Sequence, residues 1–211
     1  KASDDDIYKR ASLLLRDSVH GSFDGTVRVD EENSTLVING NPVKIIYADS
    51  PVEVNYSDYK ILNPLVIDNT GVWRDEVNLS QHLNSGASKV ILTAPAKGKL
   101  KNIVYGINDD ILNDNDQILS AASCTTNAIV PVLKAINDEY LIKGGHIETV
   151  HAYTNDQNLI DNFHKGDRRG RGAPLNMVLT TTGAVKAVSK ALPELEGKLT
   201  GNAIRVPTPN V

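Results

Sequence analysis

The amino-acid sequence predicts an α/β fold in which a parallel sheet is followed by a mixed, partly antiparallel sheet of α+β character. Three features of the 211-residue chain carry that prediction. First, an apolar segment, an amphipathic helical segment and a second apolar segment follow one another with short joints between residues 63 and 96. That order is a βαβ unit, whose two strands pair in parallel. Second, "GTVRVD", "STLVING" and "PVKIIYAD" alternate apolar and polar residues and are divided by Gly25, Asn33, Gly40 and Pro42, the marks of an antiparallel meander. Third, β-type segments resume after residue 123 around a loop rich in glycine and arginine.

In chain order, residues 1–19 predict a helix, because Ile7, Ala11, Leu14 and Leu15 recur at helical spacing. The meander comes next. "NPLVIDNTG" reads as a strand closed by a polar turn, and residues 72–86 as a helix with Val77, Leu79 and Leu83 near one face. "SKVILTAPA", "NIVYGIN" and "QILSAAS" supply further strands. A helix starts at Cys124 with Ile129, Val130, Leu133 and Ile136 as its core-facing stripe. "GGHIETVHAYT" is β-rich, residues 182–192 are helical up to Pro193, and "LTGNAIRVPTPNV" is a strand broken by prolines. The domain boundary is expected at Cys124, giving parts 1–123 and 124–211. A doubly wound nucleotide-binding sheet opens with a strand and a GxGxxG turn, which this chain lacks. A segment of a longer protein is therefore expected, with the first βαβ unit of its Rossmann-type sheet outside it.

Composition narrows the function. Hydrophobic residues make up 40% and charged residues 23%, the balance of a soluble globular domain. No apolar run approaches the roughly 18 residues that span a bilayer, and no membrane role is expected. A formal net charge of -4 speaks against a general nucleic-acid binder. One cysteine allows no internal disulfide framework, so the expected compartment is the reducing cytoplasm. No metal site is expected. In this acidic chain, Lys165, Arg168, Arg169 and Arg171 crowd into "HKGDRRGR", either to bind a small anion or as a solvated or subunit-facing loop.

Cys124 stands where a strand turns into a helix. Helix N-termini carry unpaired N–H groups and about half a positive charge, which stabilise a thiolate. Ser123, Thr125 and Thr126 add hydroxyls suited to capping or to anion contacts. From these residues alone Cys124 is either a packed structural cysteine or a nucleophile. His151, at the end of a β-type segment, is either structural or the base that such a nucleophile needs.

"ASCTTN", "HAYTNDQ", "RRGR", "TTGAVKAV", "LPELEGKLTG" and "RVPTPNV" occur in that order, after "RDSVHGSFDGTV", "DNTGVWRD" and "VILTAPAKG". Together they resemble the phosphorylating glyceraldehyde-3-phosphate dehydrogenase family from Leu13 to Val211, in its longer bacterial form. The resemblance implies that Cys124 is the nucleophile and His151 the base. It implies that Ser123, Thr125, Thr182 and Gly183 line an inorganic-phosphate site. Thr154, Asp156, Arg169 and Arg205 match the site for the substrate's phosphate, with Asp156 orienting an arginine rather than touching the anion. Thr70, Gly71 and Thr93 match strand-end positions near the dinucleotide. NAD is the expected cofactor, with NADP the alternative because Asp49 and Asn162-Phe163 depart from common family residues. Glyceraldehyde 3-phosphate and inorganic phosphate are the implied substrates, and a homotetramer the implied assembly. The rival readings are erythrose-4-phosphate dehydrogenase and a non-catalytic binding module derived from the family. The segment by itself is expected to be inactive.

Overall fold

The computed structural model describes residues 6–180 and 182–209, Asp167 by its backbone alone. The chain divides into two compact units between Asn55 and Tyr56.

The first unit begins with helix α1 (Asp6–Leu15), followed by the two-residue strands β1 (Arg16–Asp17) and β2 (Gly21–Ser22). The helix predicted to run to Val19 therefore stops early. Asp17 ends it: its Oδ1 accepts the backbone N–H groups of Val19 and His20 at 2.8 and 2.7 Å, an alternative to helical bonding. Gly21, at φ 82°, then closes the hairpin. The residues of the predicted helix before Asp6 lie outside the described residues. Strands β3 (Val27–Asp30), β4 (Thr35–Ile38) and β5 (Asn41–Lys44) form the expected antiparallel meander. Ile7 and Ala11 of α1 bury against Leu36 of β4, whereas Leu14 is left exposed.

The second unit carries the predicted parallel sheet. Strands β6 (Leu65–Asp68), β7 (Lys89–Leu92) and β8 (Ile118–Ser120) lie side by side and parallel, with α2 (Glu76–Asn84) crossing between the first two. Asp75 caps α2 by accepting the Asn78 N–H at 3.0 Å, so the helix starts later than its pattern suggested. Leu79 is fully buried with Val90 and Leu92, and Leu83 packs on that cluster. Val77 is 79% exposed, a correction that helix geometry explains. Two residues subtend about 200° on a helix of 3.6 residues per turn, so 77 and 79 face opposite ways. "NIVYGIN" is not a strand. Only Asn102 bridges Ser120, after which Asn108 Oδ1 accepts the Val104 N–H at 2.8 Å and Gly106 turns at φ 75°.

Helix α3 (Cys124–Tyr140) follows β8 directly. Its buried side is Thr126, Val130 and Asn137, flanked by Ile129 and Leu133, while Ile136 is exposed. The sequence placed Ile136 in the stripe, but Asn137 takes the inward position. Its Oδ1 accepts the Ile142 N–H at 3.0 Å where the helix ends. Strand β9 (Gly145–Ala152), the unpredicted β10 (Val178–Thr180), helix α4 (Ala184–Ala191) and β11 (Leu199–Val206) complete the unit. The sheet order is β10-β11-β9, with β11 parallel to β9 and antiparallel to β10. Val130, Val188, Leu195 and Leu199 form the core between α3, α4 and this sheet. Gly201 is required there: a Cβ would stand 2.9 Å from both the Ile147 carbonyl oxygen and Val185. The register of β9 and β11 sets Arg205 directly beside His151.

Candidate active site

The chain leaves β8 through Ala122, buried and at φ 58°, a left-handed conformation that costs a non-glycine residue about 1–3 kcal/mol. Ser120 Oγ accepts the Ala122 N–H at 3.1 Å and holds the bend. Ser123 then caps α3, its Oγ accepting the Thr126 N–H at 3.0 Å. Cys124 is thus the first helical residue, where the helix field is strongest. Its side chain is exposed, not packed as a structural cysteine would be.

His151, near the end of β9, brings Nε2 to 3.6 Å from Cys124 Sγ. Its Nδ1 lies 2.7 Å from the Ala152 carbonyl oxygen. From β11, Arg205 Nη1 approaches the same ring nitrogen at 3.0 Å, donates to the Ala152 oxygen at 2.8 Å and reaches Thr154 Oγ1 at 3.4 Å. Burial lowers the Arg205 guanidinium below its ordinary range, as does the charge of Arg169, while Asp156 and Cys124 pull the other way. An open cleft of ≈ 500 Å³ has Cys124, Thr125, Ala128, Ile129, Val150 and His151 among its lining.

Arg169 is held from two sides. Its Nη1 donates to Asp156 Oδ2, and Nε and Nη2 donate to Thr180 Oγ1 at 3.2 and 3.0 Å. Thr154 and Arg205 are therefore linked to His151 and Asp156 to Arg169, and the charges of Arg169 and Asp156 act on Arg205. Thr180 was not among the sequence candidates. Without β10 in the prediction, nothing signalled that it lies beside the arginine loop.

Of the residues expected at a second anion site, Thr125 Oγ1 lies 3.9 Å from Cys124 Sγ. Ser123 and Gly183 share a smaller cleft of ≈ 150 Å³ with Thr126 and Lys186. Thr182 Oγ1 accepts the Ala184 N–H at 3.1 Å, next to Gly183 at the start of α4.

Thr70, Gly71 and Thr93 sit at the carboxyl ends of β6 and β7. Asp68, 3% exposed, organises them. Its Oδ1 accepts both the N–H and the hydroxyl of Thr70, at 2.9 and 2.7 Å, and its carbonyl oxygen accepts the Thr93 N–H at 2.9 Å. Gly71 turns at φ 69° with open space where a Cβ would stand. Behind them, His82 Nε2 lies 3.4 Å from Asp68 Oδ2, and its Nδ1 lies 3.1 Å from the Tyr56 hydroxyl. Burial raises the Tyr56 phenol above its ordinary range, with the Asp68 charge adding to the effect. The Ala121 N–H donates to the Leu92 oxygen at 2.9 Å, which puts the entry to α3 on the same sheet edge. Ligands of open α/β sheets bind at that edge. Among the described residues no group of three or more His, Cys, Asp and Glu gathers as a metal site would, and no helix is long and apolar enough to cross a membrane.

An exposed thiol at a helix start, an imidazole within reach of it and Arg205 beside the imidazole are groups of the kind that covalent chemistry on an anion requires. Residues 123–211 match the family model described as glyceraldehyde 3-phosphate dehydrogenase, C-terminal domain, and residues 3–76 match that of its NAD binding domain. A glyceraldehyde-3-phosphate dehydrogenase-like protein of Pseudomonas aeruginosa is 66% identical over 212 residues, covering 100% of this chain and 46% of the relative. Glyceraldehyde-3-phosphate dehydrogenase 1 of Bacillus subtilis is 45% identical over 95% of the chain and 59% of its own length. Glyceraldehyde-3-phosphate dehydrogenase B, chloroplastic, of Pisum sativum is 44% identical over 96% of the chain and 45% of its own length. The chain belongs to the glyceraldehyde-3-phosphate dehydrogenase family. It spans about half the length of these curated relatives.

Proposed function

We propose that the protein carrying this chain is a phosphorylating aldehyde dehydrogenase that converts glyceraldehyde 3-phosphate and inorganic phosphate into 1,3-bisphosphoglycerate. The observation that carries this reading is the 3.6 Å approach of Cys124 Sγ to His151 Nε2, with Arg205 behind the ring, in a segment that matches the family's C-terminal model. In this reading residues 1–123 belong to the cofactor domain and 124–211 to the catalytic domain. The second family match begins at residue 123, which supports that division.

His151 takes the thiol proton, and Cys124 Sγ adds to the aldehyde carbon to give a thiohemiacetal. The Cys124 backbone N–H, free at the helix start, and the imidazole donate to the developing oxyanion. His151 gives its proton to that oxygen to complete the thiohemiacetal and takes it up again as the carbon is oxidised, leaving a thioester on Cys124. Thr70, Gly71 and Thr93 would hold NAD, which when bound supplies the hydride acceptor. The exposed threonines and the open turn at Gly71 fit such a ligand. Ser123, Thr125, Thr182 and Gly183 would hold inorganic phosphate, one oxygen of which attacks the thioester carbonyl and releases the acyl phosphate and the Cys124 thiolate. Thr154, Arg169 and Arg205 would hold the substrate's own phosphate, with Asp156 fixing Arg169. A cytoplasmic homotetramer is the assembly this reading implies.

Turnover with NAD and inorganic phosphate tests the proposal. The full-length protein is expected to oxidise glyceraldehyde 3-phosphate with a higher kcat/KM than erythrose 4-phosphate. The reverse order would favour the sister activity, and no turnover of either aldehyde would favour a binding module.

A further inference from the structure

Three polar atoms meet at the end of β9. His151 Nδ1 is 2.7 Å from the Ala152 oxygen and 3.0 Å from Arg205 Nη1, and that same Nη1 is 2.8 Å from the Ala152 oxygen. A guanidinium carries donors only. In neutral His151, Nδ1 therefore has two options. It keeps its proton and donates to Ala152 with an arginine N–H pressed against it, or it is bare and accepts from Arg205. The two options present opposite groups to the thiol. With a proton on Nδ1, Nε2 aims a lone pair at Sγ and can take its proton. With Nδ1 bare, Nε2 carries an N–H that can support a thiolate but cannot act as base.

We propose that Arg205 selects the His151 tautomer, holding Nδ1 bare while it touches the ring and releasing it when an anion draws the guanidinium away. Thr154 Oγ1, already 3.4 Å from Nη1, marks a direction in which the guanidinium has another partner. Release lets Nδ1 donate to Ala152 and turns Nε2 into the base. One proton moves from Nε2 to Nδ1 through solvent, and the ring's charge does not change. The charged and titratable groups around this junction are Cys124 from α3 and Arg205 from β11, with Arg169 and Asp156 acting on Arg205. The inference rests on the reading of Cys124 and His151 as a working pair and adds a positioning role for Arg205. The substrate's phosphate would then prepare the base that oxidation of its aldehyde carbon needs.

Histidine ¹⁵N–¹H correlation spectra of the 211-residue chain, at about pH 8 where free histidine is neutral, report the tautomer directly. His151 is assigned by its loss in His151→Gln. The wild type is expected to show the proton on Nε2, and Arg205→Gln on Nδ1. Inorganic phosphate, at concentrations that fill the Arg205 site as well as the one at Ser123 and Thr125, is expected to move the wild type to the Nδ1–H pattern and leave Arg205→Gln unchanged. A wild type with Nδ1–H before phosphate, or one tautomer in both proteins, overturns the proposal, as does a wild type that saturating phosphate leaves unmoved. If Arg205→Gln does not fold, the wild-type spectra with and without phosphate still decide. The measurement needs neither NAD nor turnover, so an inactive protein with this switch would reject the proposed activity and keep the inference. An active protein without the switch would do the opposite.

Discussion

Cys124 Sγ and His151 Nε2 stand 3.6 Å apart although 27 residues separate them in sequence. Helix α3 carries the chain away from the thiol at its start, and β9 returns so that its last residues pass the start of the same helix. The pair is a product of that return path. His151→Asn should therefore slow alkylation of Cys124 by iodoacetamide at neutral pH, and reduce turnover of the full-length protein by about 10²–10⁴. Cys124→Ser should abolish turnover while leaving the melting temperature within a degree or two of wild type, about the change expected of an exposed substitution.

Ser123 has two roles in this account, and a substitution separates them. Ser123→Ala removes the α3 cap and should cost about 1 kcal/mol of stability, measured by urea unfolding. It should also raise the KM for inorganic phosphate. Ser123→Asp restores the cap but sets a negative charge at the proposed anion site. Its expected signature is regained stability without regained phosphate affinity.

Asp156 fixes Arg169 by an ion pair on a half-exposed surface. Such pairs are worth less than about 1 kcal/mol, so Asp156→Asn should raise the KM for glyceraldehyde 3-phosphate by roughly two- to fivefold, with kcat little changed. Initial-rate kinetics against the aldehyde check this.

Helix α2 offers a contrast between neighbours. Leu79, fully buried, should lose about 2–5 kcal/mol on mutation to alanine. Val77, on the opposite face, should change stability by less than about 0.5 kcal/mol. Denaturant unfolding of the two variants distinguishes them.

Acid should loosen α2 through its cap. The Asn78 backbone N–H, then its side chain, hold the Asp75 carboxyl below its usual 3.8, so the charged form is favoured in the folded state. A carboxyl depressed on folding contributes stability above its unfolded value, and that contribution is lost as pH falls through the folded one. Unfolding midpoints should therefore fall below about pH 4, and less steeply in Asp75→Asn, which keeps a capping oxygen without titrating.

Much of this was legible in the sequence because periodicity reports burial directly. The βαβ unit, the meander and the Cys124 helix announce themselves through spacing and turn residues. What escaped depended on atoms distant in sequence or on side-chain competition. Asp17 ended α1 with its own oxygen, and Asn137 displaced Ile136 from the buried side because a helix end needed an acceptor. The bend at Ala122 has no glycine to betray it. Strand β10 is three residues long and, among the described residues, pairs only with β11, so neither it nor the place of Thr180 beside Arg169 could be read from local pattern. The part-buried Tyr56–His82–Asp68 chain was equally silent, since its bonded partners are 26 and 14 residues apart and meet only when α2 folds onto β6.

The central claim is that Cys124 carries the oxidised substrate as a thioester until phosphate displaces it. Mass spectrometry of the full-length protein, mixed with glyceraldehyde 3-phosphate and NAD without inorganic phosphate, tests this most directly. The account predicts an acyl adduct on the Cys124 peptide that disappears within one turnover of adding phosphate, with 1,3-bisphosphoglycerate appearing in solution. An unmodified Cys124 peptide in protein that still reduces NAD, or an adduct that phosphate does not release, would contradict it.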